Sequence, residues 1–149
     1  MQRVVVGVDG SDNSRRALAW ALDEACMRNA CLDVVHAWEP PMVVGFGTLA
    51  GGGATLGGST YEEQARLLLD RMIAGASTEE FSFPIDAIAV HGSAASTLLE
   101  TAKGADLIVV GSRGRGGFAG LLLGSVSQQV VQHAPCPVVV VPPPRDSNL

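Results

Sequence analysis

Apolar positions along this chain fall into two kinds of pattern. Short unbroken runs recur at Val4–Val6, Leu107–Val110 and Val138–Val141. Longer stretches between them place apolar residues three and four apart, the period of a helix with one buried face. Arg3 to Val8 therefore reads as a first strand, followed by turn chemistry in Gly7-Val8-Asp9-Gly10-Ser11. Ala17, Leu18, Ala21, Leu22 and Ala25 predict a helix over Ser14–Asn29, which Ser11, Asp12 or Asn13 can cap. Leu32–Trp38 reads as a second strand. Tyr61–Ala76 reads as a second helix, with Ala65, Leu68, Leu69, Met72 and Ile73 facing inward. Pro84–Val90 is a third strand, Ser93 caps a helix through Ala102, and Asp106–Gly111 is a fourth strand. Ser125–His133 is a last helix and Pro137–Val141 a fifth strand.

Strands alternate with helices throughout, and the strands lack polar alternation. Both features predict an α/β fold: one domain over 1–149, an open parallel five-stranded sheet with helices on both faces, Rossmann-like. Right-handed crossovers place the loops that follow the strands at one edge of the sheet. Ligands of such sheets bind outside the carboxyl ends of the strands, where the strand order reverses. The loops after strands one and four, Val8–Ser11 and Gly111–Gly124, are the two of the right kind. Residues 39–60 are glycine-rich and without period, longer than most connections in a compact domain. They read as a mobile insert, either a lid or a segment with no role.

Composition removes several classes of function. Fifteen acidic against ten basic residues give a net charge of −5, and the basic residues are scattered. A nucleic-acid partner is therefore not expected. No apolar run approaches the ~20 residues that cross a bilayer. Met1-Gln2-Arg3 leads directly into the first valines, which does not read as a signal peptide. A soluble cytoplasmic protein without a membrane partner is the expectation. Three cysteines without a C-x-x-C pair read as small buried thiols rather than a zinc site or a disulfide framework.

The stretch GSRGRGGFAGLLLGS, residues 111–125, carries the candidate chemistry. Glycines at a strand end let backbone N–H groups approach a phosphate, and the first turn of a helix adds unpaired N–H groups and a partial positive charge. Leu121-Leu122-Leu123 can pin the returning loop. A Walker lysine is absent. Gly114-x-Gly116-x-x-Ala119 matches a relaxed dinucleotide fingerprint, but it is not the first βα turn and no acid follows at the ribose spacing.

Gly111-x-x-Gly114, nine residues, then Gly124-Ser125 resembles the ATP-binding signature of the universal stress protein family. VVVGVDGS, VVHAW, DLIVVGSRG, LLLGSVSQQVV and APCPVVVV extend the resemblance over nearly the whole chain. The 39–60 insert departs from it. The resemblance implies strand order 3-2-1-4-5, a homodimer and a bound ATP. It implies that Asp9 meets the ribose or a metal ion, Mg or Mn, on the nucleotide. Val8 and Ala37 would meet adenine through main-chain groups. Gly111, Gly114, Gly124 and Ser125 would line sugar and phosphates, with Val126 and Ser127 donating N–H groups. Arg113 either grips phosphate or is solvated, and Asp9 has an alternative role in an Asx-turn. His36, His91 and His133 lack partners for catalysis, and no activated nucleophile or general base appears beyond Asp9. At most weak ATP hydrolysis is expected. A slow ATPase, and an adaptor that works through an unknown protein partner without nucleotide, are the rival functions. Val138–Val141, last in the sequence and stopped by Pro142-Pro143-Pro144, is expected at a sheet edge, where it pairs with its own copy.

Overall fold

The computed structural model describes residues 1–40, 57–77, 80–113 and 123–144. Its elements are β1 (Arg3–Gly7), α1 (Asp12–Arg28), β2 (Cys31–Trp38), α2 (Gly57–Ala76), β3 (Ile85–His91), α3 (Ala94–Thr101), β4 (Leu107–Gly111), α4 (Ser125–His133) and β5 (Val138–Val141). All pairings are parallel, in the order β3-β2-β1-β4-β5, as expected.

The valine runs are apolar throughout because each strand feeds two cores. Side chains alternate across a strand. Val4, Val6, Leu32, Val34, Leu107, Val109 and Val141 pack with α1 and α2 on one face. Val5, Val35, Ile108 and Val110 pack with Leu98 and Ala102 of the α3 segment and Val130 of α4 on the other. In α2, Ala65, Leu69 and Met72 are buried as expected, with Leu68 and Ile73 packed at the margin.

Local chemistry sets the helix ends. Ser11 is the N-cap of α1, its Oγ accepting from the Ser14 N–H at 3.2 Å. Asn29 closes α1 in the left-handed region at φ 52°, which asparagine tolerates. Ser93 stands at the N-cap of α3 but makes no side-chain cap bond. Its hydroxyl pairs with that of Ser96 instead, because a serine at the third helical position competes for it. Helix α2 begins at Gly57, so the expected 39–60 insert is too long at its carboxyl end. A glycine costs a helix interior ~1 kcal/mol, and the first turn bears less of it because its N–H groups have no helical partner. Residues 41–56 of that insert lie outside the described residues, as do Gly114, Leu121 and Leu122.

Edge strand β3 departs from the unbroken apolar pattern, with Asp86 and Ala87 exposed. Edge strand β5 is half-buried except at Val141. Successive residues of a strand point their main-chain groups to opposite sides. The Val141 carbonyl accepts from the Ser112 N–H at 2.9 Å, so Val139 and Val141 face β4. Val138 and Val140 therefore turn their N–H and C=O groups outward.

At the other end of the sheet, Arg3 ties three segments together. Its guanidinium pairs with buried Asp33 at 2.6 Å and donates to the Thr101 and Lys103 carbonyls at 2.7 and 3.1 Å. The cysteines differ from expectation: Cys26 is exposed on the outer side of α1, and Cys31 and Cys136 are half-buried. Burial first, and the Asp106 charge second, push the Cys136 thiol above its ordinary value. It therefore stays protonated near neutral pH.

Candidate functional site

Strand β1 leads to β2 on one side and neighbours β4 on the other, so the strand order reverses at β1. A cleft of about 230 Å³ opens at this reversal, above the carboxyl ends of β1, β2 and β4. Nine of the ten candidate residues line it: Val8, Asp9, Ala37, Gly111, Arg113, Gly124, Ser125, Val126 and Ser127. The tenth, Gly114, lies outside the described residues. Gly7, Ser14, Val35, Ala94, Leu98 and Val110 complete the lining, and the sequence singles out none of these six as a site residue.

The apolar wall comes from the second core. Val35, Leu98 and Val110 belong to it and reach the cleft floor. Gly7 is the clearance for Leu98: a Cβ there would lie 2.8 Å from Leu98 Cδ2.

The ladder between β1 and β2 ends inside the cleft. Val8 N–H donates to the Val35 carbonyl at 2.9 Å, one rung past β1. Alternation then turns the Ala37 N–H and C=O toward the same side, where the chain has left the sheet. The Val8 carbonyl, which the next rung would use, accepts from His36 Nδ1 at 2.9 Å. His36 thus has a structural bond and carries its proton on Nδ1. A donor and an acceptor, side by side on Ala37, face the cleft without a strand opposite.

Polar groups gather at the other wall. Gly124 is the N-cap of α4, and the first helical bond runs from Gln128 N–H to its carbonyl at 3.0 Å. The N–H groups of Ser125, Val126 and Ser127 consequently have no helical acceptor. They stand at the positive end of the helix dipole, and all three residues line the cleft. Gly124 N–H donates to the Ser112 carbonyl at 2.6 Å, which closes the base of the glycine loop. Ser127 Oγ donates to the same carbonyl at 3.1 Å. Arg113 supplies the side-chain charge, and its Nε is buried without a hydrogen-bond partner among the described residues.

Asp9 has local work. Its Oδ1 accepts from the Ser11 N–H at 2.9 Å, the Asx-turn that the sequence offered as its alternative role. Among the described residues no group of three His, Cys, Asp or Glu side chains is placed to hold a metal ion. No described helix is long and apolar enough to cross a membrane. Trp38 packs its ring against His91 at 4.8 Å, away from the cleft lining.

Comparison with known proteins places this geometry. The model of the universal stress protein family matches residues 1–142. A universal stress protein of Mycobacterium tuberculosis is 41% identical over 137 residues, which cover 92% of this chain and 44% of the relative. The chain spans less than half the length of the curated relatives it matches. UspA of Lactobacillus plantarum shares the fold with a TM-score of 0.77 at 24% identity, covering 94% of this chain and 97% of that one. A universal stress protein solved in complex with cAMP is 33% identical, covers 94% and 95% of the two chains, and has a TM-score of 0.61. The chain belongs to the universal stress protein family.

Proposed function

We propose that this chain binds ATP in the cleft at the strand-order reversal and acts in a stress response as a nucleotide-dependent switch, in the cytoplasm and as a homodimer paired through Val138–Val141. The observation that carries the nucleotide is the pairing of two unlike walls. One offers the three N–H groups at the start of α4 that have no helical acceptor, beside Arg113, which suits phosphate. The other offers the Ala37 N–H and C=O above an apolar floor, which suits the donor–acceptor edge of adenine. The relative solved with cAMP supports an adenine nucleotide in this fold. Gly111, Gly124 and Ser125 line the path between the walls, with Gly114 continuing it in the signature. Asp9 faces the ribose, or supplies one carboxylate to a Mg or Mn ion that takes its remaining ligands from phosphate and water. The switch acts on a protein partner, and no catalytic residue is assigned.

Calorimetric titration of the purified chain with ATP, AMP, cAMP and adenosine tests the reading. A dissociation constant for ATP in the micromolar range, about −8 kcal/mol, is expected, with weaker binding of adenosine. Equal affinity for ATP and adenosine would remove the phosphate role of α4. Absence of saturable binding by all four would leave the adaptor reading in its place.

A further inference from the structure

We infer that Asn13 is a positioning residue that sets the phosphate wall of the cleft at a fixed distance from the β1 loop; the inference rests on the nucleotide reading above. Asn13 lies on the buried stripe of α1, four residues before Ala17, and is 8% exposed. An amide so placed needs partners, and it finds them on two other segments. Its Oδ1 accepts from the Arg113 N–H at 2.8 Å and from the Ser112 hydroxyl at 3.3 Å. Its Nδ2 donates to the Val141 carbonyl at 3.0 Å. The next residue serves the opposite wall: Ser14 Oγ accepts from the Asp9 N–H at 3.3 Å. Neighbouring residues in one helical turn therefore hold the loops after β1 and β4 across the reversal point.

Two further contacts extend the device. A Cβ on Gly111 would lie 3.0 Å from Asn13 Cγ and 3.2 Å from the Asn13 carbonyl oxygen, so the glycine makes room for this amide. Ser112, held by Asn13, receives both the Gly124 N–H and the Ser127 hydroxyl on its carbonyl. The position of the Asn13 amide is thus passed to the start of α4. Because the Arg113 N–H is already bound to Asn13, the residue meets a ligand through its guanidinium.

The test uses the full chain and three variants. Amide hydrogen exchange is measured without ligand, and then the affinities for AMP and adenosine. In Asn13→Ala, exchange at Arg113 rises at least about tenfold, AMP affinity falls about tenfold, and adenosine affinity stays within about twofold. Asn13→Asp keeps the acceptor and restores protection at Arg113. Should Asn13→Ala not fold, Gly111→Ala displaces the amide without deleting it, and the same split between AMP and adenosine is expected. Unchanged exchange at Arg113, or equal loss of AMP and adenosine, would overturn the inference. If the unaltered chain binds neither ligand, the nucleotide reading fails, while exchange at Arg113 still decides whether Asn13 holds the loop.

Discussion

Gly7 leaves room for Leu98, and the energetics of that clearance follow from its geometry. Leu98 is 3% exposed and lies against the last residue of β1. A methyl group on Gly7 would approach Leu98 Cδ2 to 2.8 Å, which forces a shift of a packed side chain. Overpacking of this kind costs about 1–3 kcal/mol, offset by about 0.4–1 kcal/mol from the stiffer unfolded chain. Gly7→Ala alone is expected to destabilise by about 1–2 kcal/mol. Leu98→Ala alone removes buried methyl groups at a cost of about 2–5 kcal/mol. The lower half of that range applies, because Leu98 lines a cleft open to water that can fill part of the gap. In the double variant the Gly7→Ala methyl meets no Leu98 and occupies vacated space. Its loss of stability should fall short of the sum by about 1–2 kcal/mol. Urea unfolding of the four proteins measures the cycle. Additivity within about 0.5 kcal/mol, the behaviour of independent sites, would refute the account of Gly7 as a clearance.

Other expectations concern single features. Val140→Pro removes an outward N–H of β5 and leaves the β4 ladder intact, so light scattering should report monomer where the unaltered chain gives dimer; a monomeric unaltered chain would refute the pairing. Arg3→Gln leaves the buried Asp33 carboxylate without its ion partner and should cost about 3 kcal/mol in chemical denaturation, most of it recovered in an Arg3→Leu, Asp33→Leu double variant. Arg113→Gln should weaken ATP at least about fivefold in calorimetry and leave adenosine unchanged, since the proposed binding mode gives the guanidinium phosphate alone to meet. Ser127→Ala deletes a hydroxyl shared between the Ser112 and Gly124 carbonyls, and a thermal melt should show about 1 kcal/mol of lost stability.

The sheet was legible because its strands are buried on both faces, and only runs such as Val4–Val6 and Leu107–Val110 can serve two cores at once. Helix α4 was legible for a different reason: glycine stops before Ser125, and Val126 and Val130 then follow helical spacing. The edge strands were less clear, since β3 mixes Asp86 into an apolar segment that solvent reaches. Family resemblance pointed to Ala37, but only the ladder explains it. Its main-chain groups matter because Val8 ends the rungs and His36 takes the Val8 carbonyl, which are facts of register. From the sequence, Asn13 reads as one of three residues that can cap α1. The signal available was an amide on the same helical stripe as Ala17 and Ala21, a position that demands buried partners from elsewhere in the chain. Gly7 looked like turn chemistry and proved to be a packing position, because the side chain that needs its space comes from Leu98, far along the sequence.

Resonance-by-resonance titration of the isotopically labelled chain with AMP tests the central claim most directly. The account predicts saturable shifts of the amide signals at Ala37, Arg113 and Ser125–Ser127, with Gln64 and Arg71 in the groove between α1 and α2 unmoved. Shifts confined to that groove, or none at saturating AMP, would contradict it.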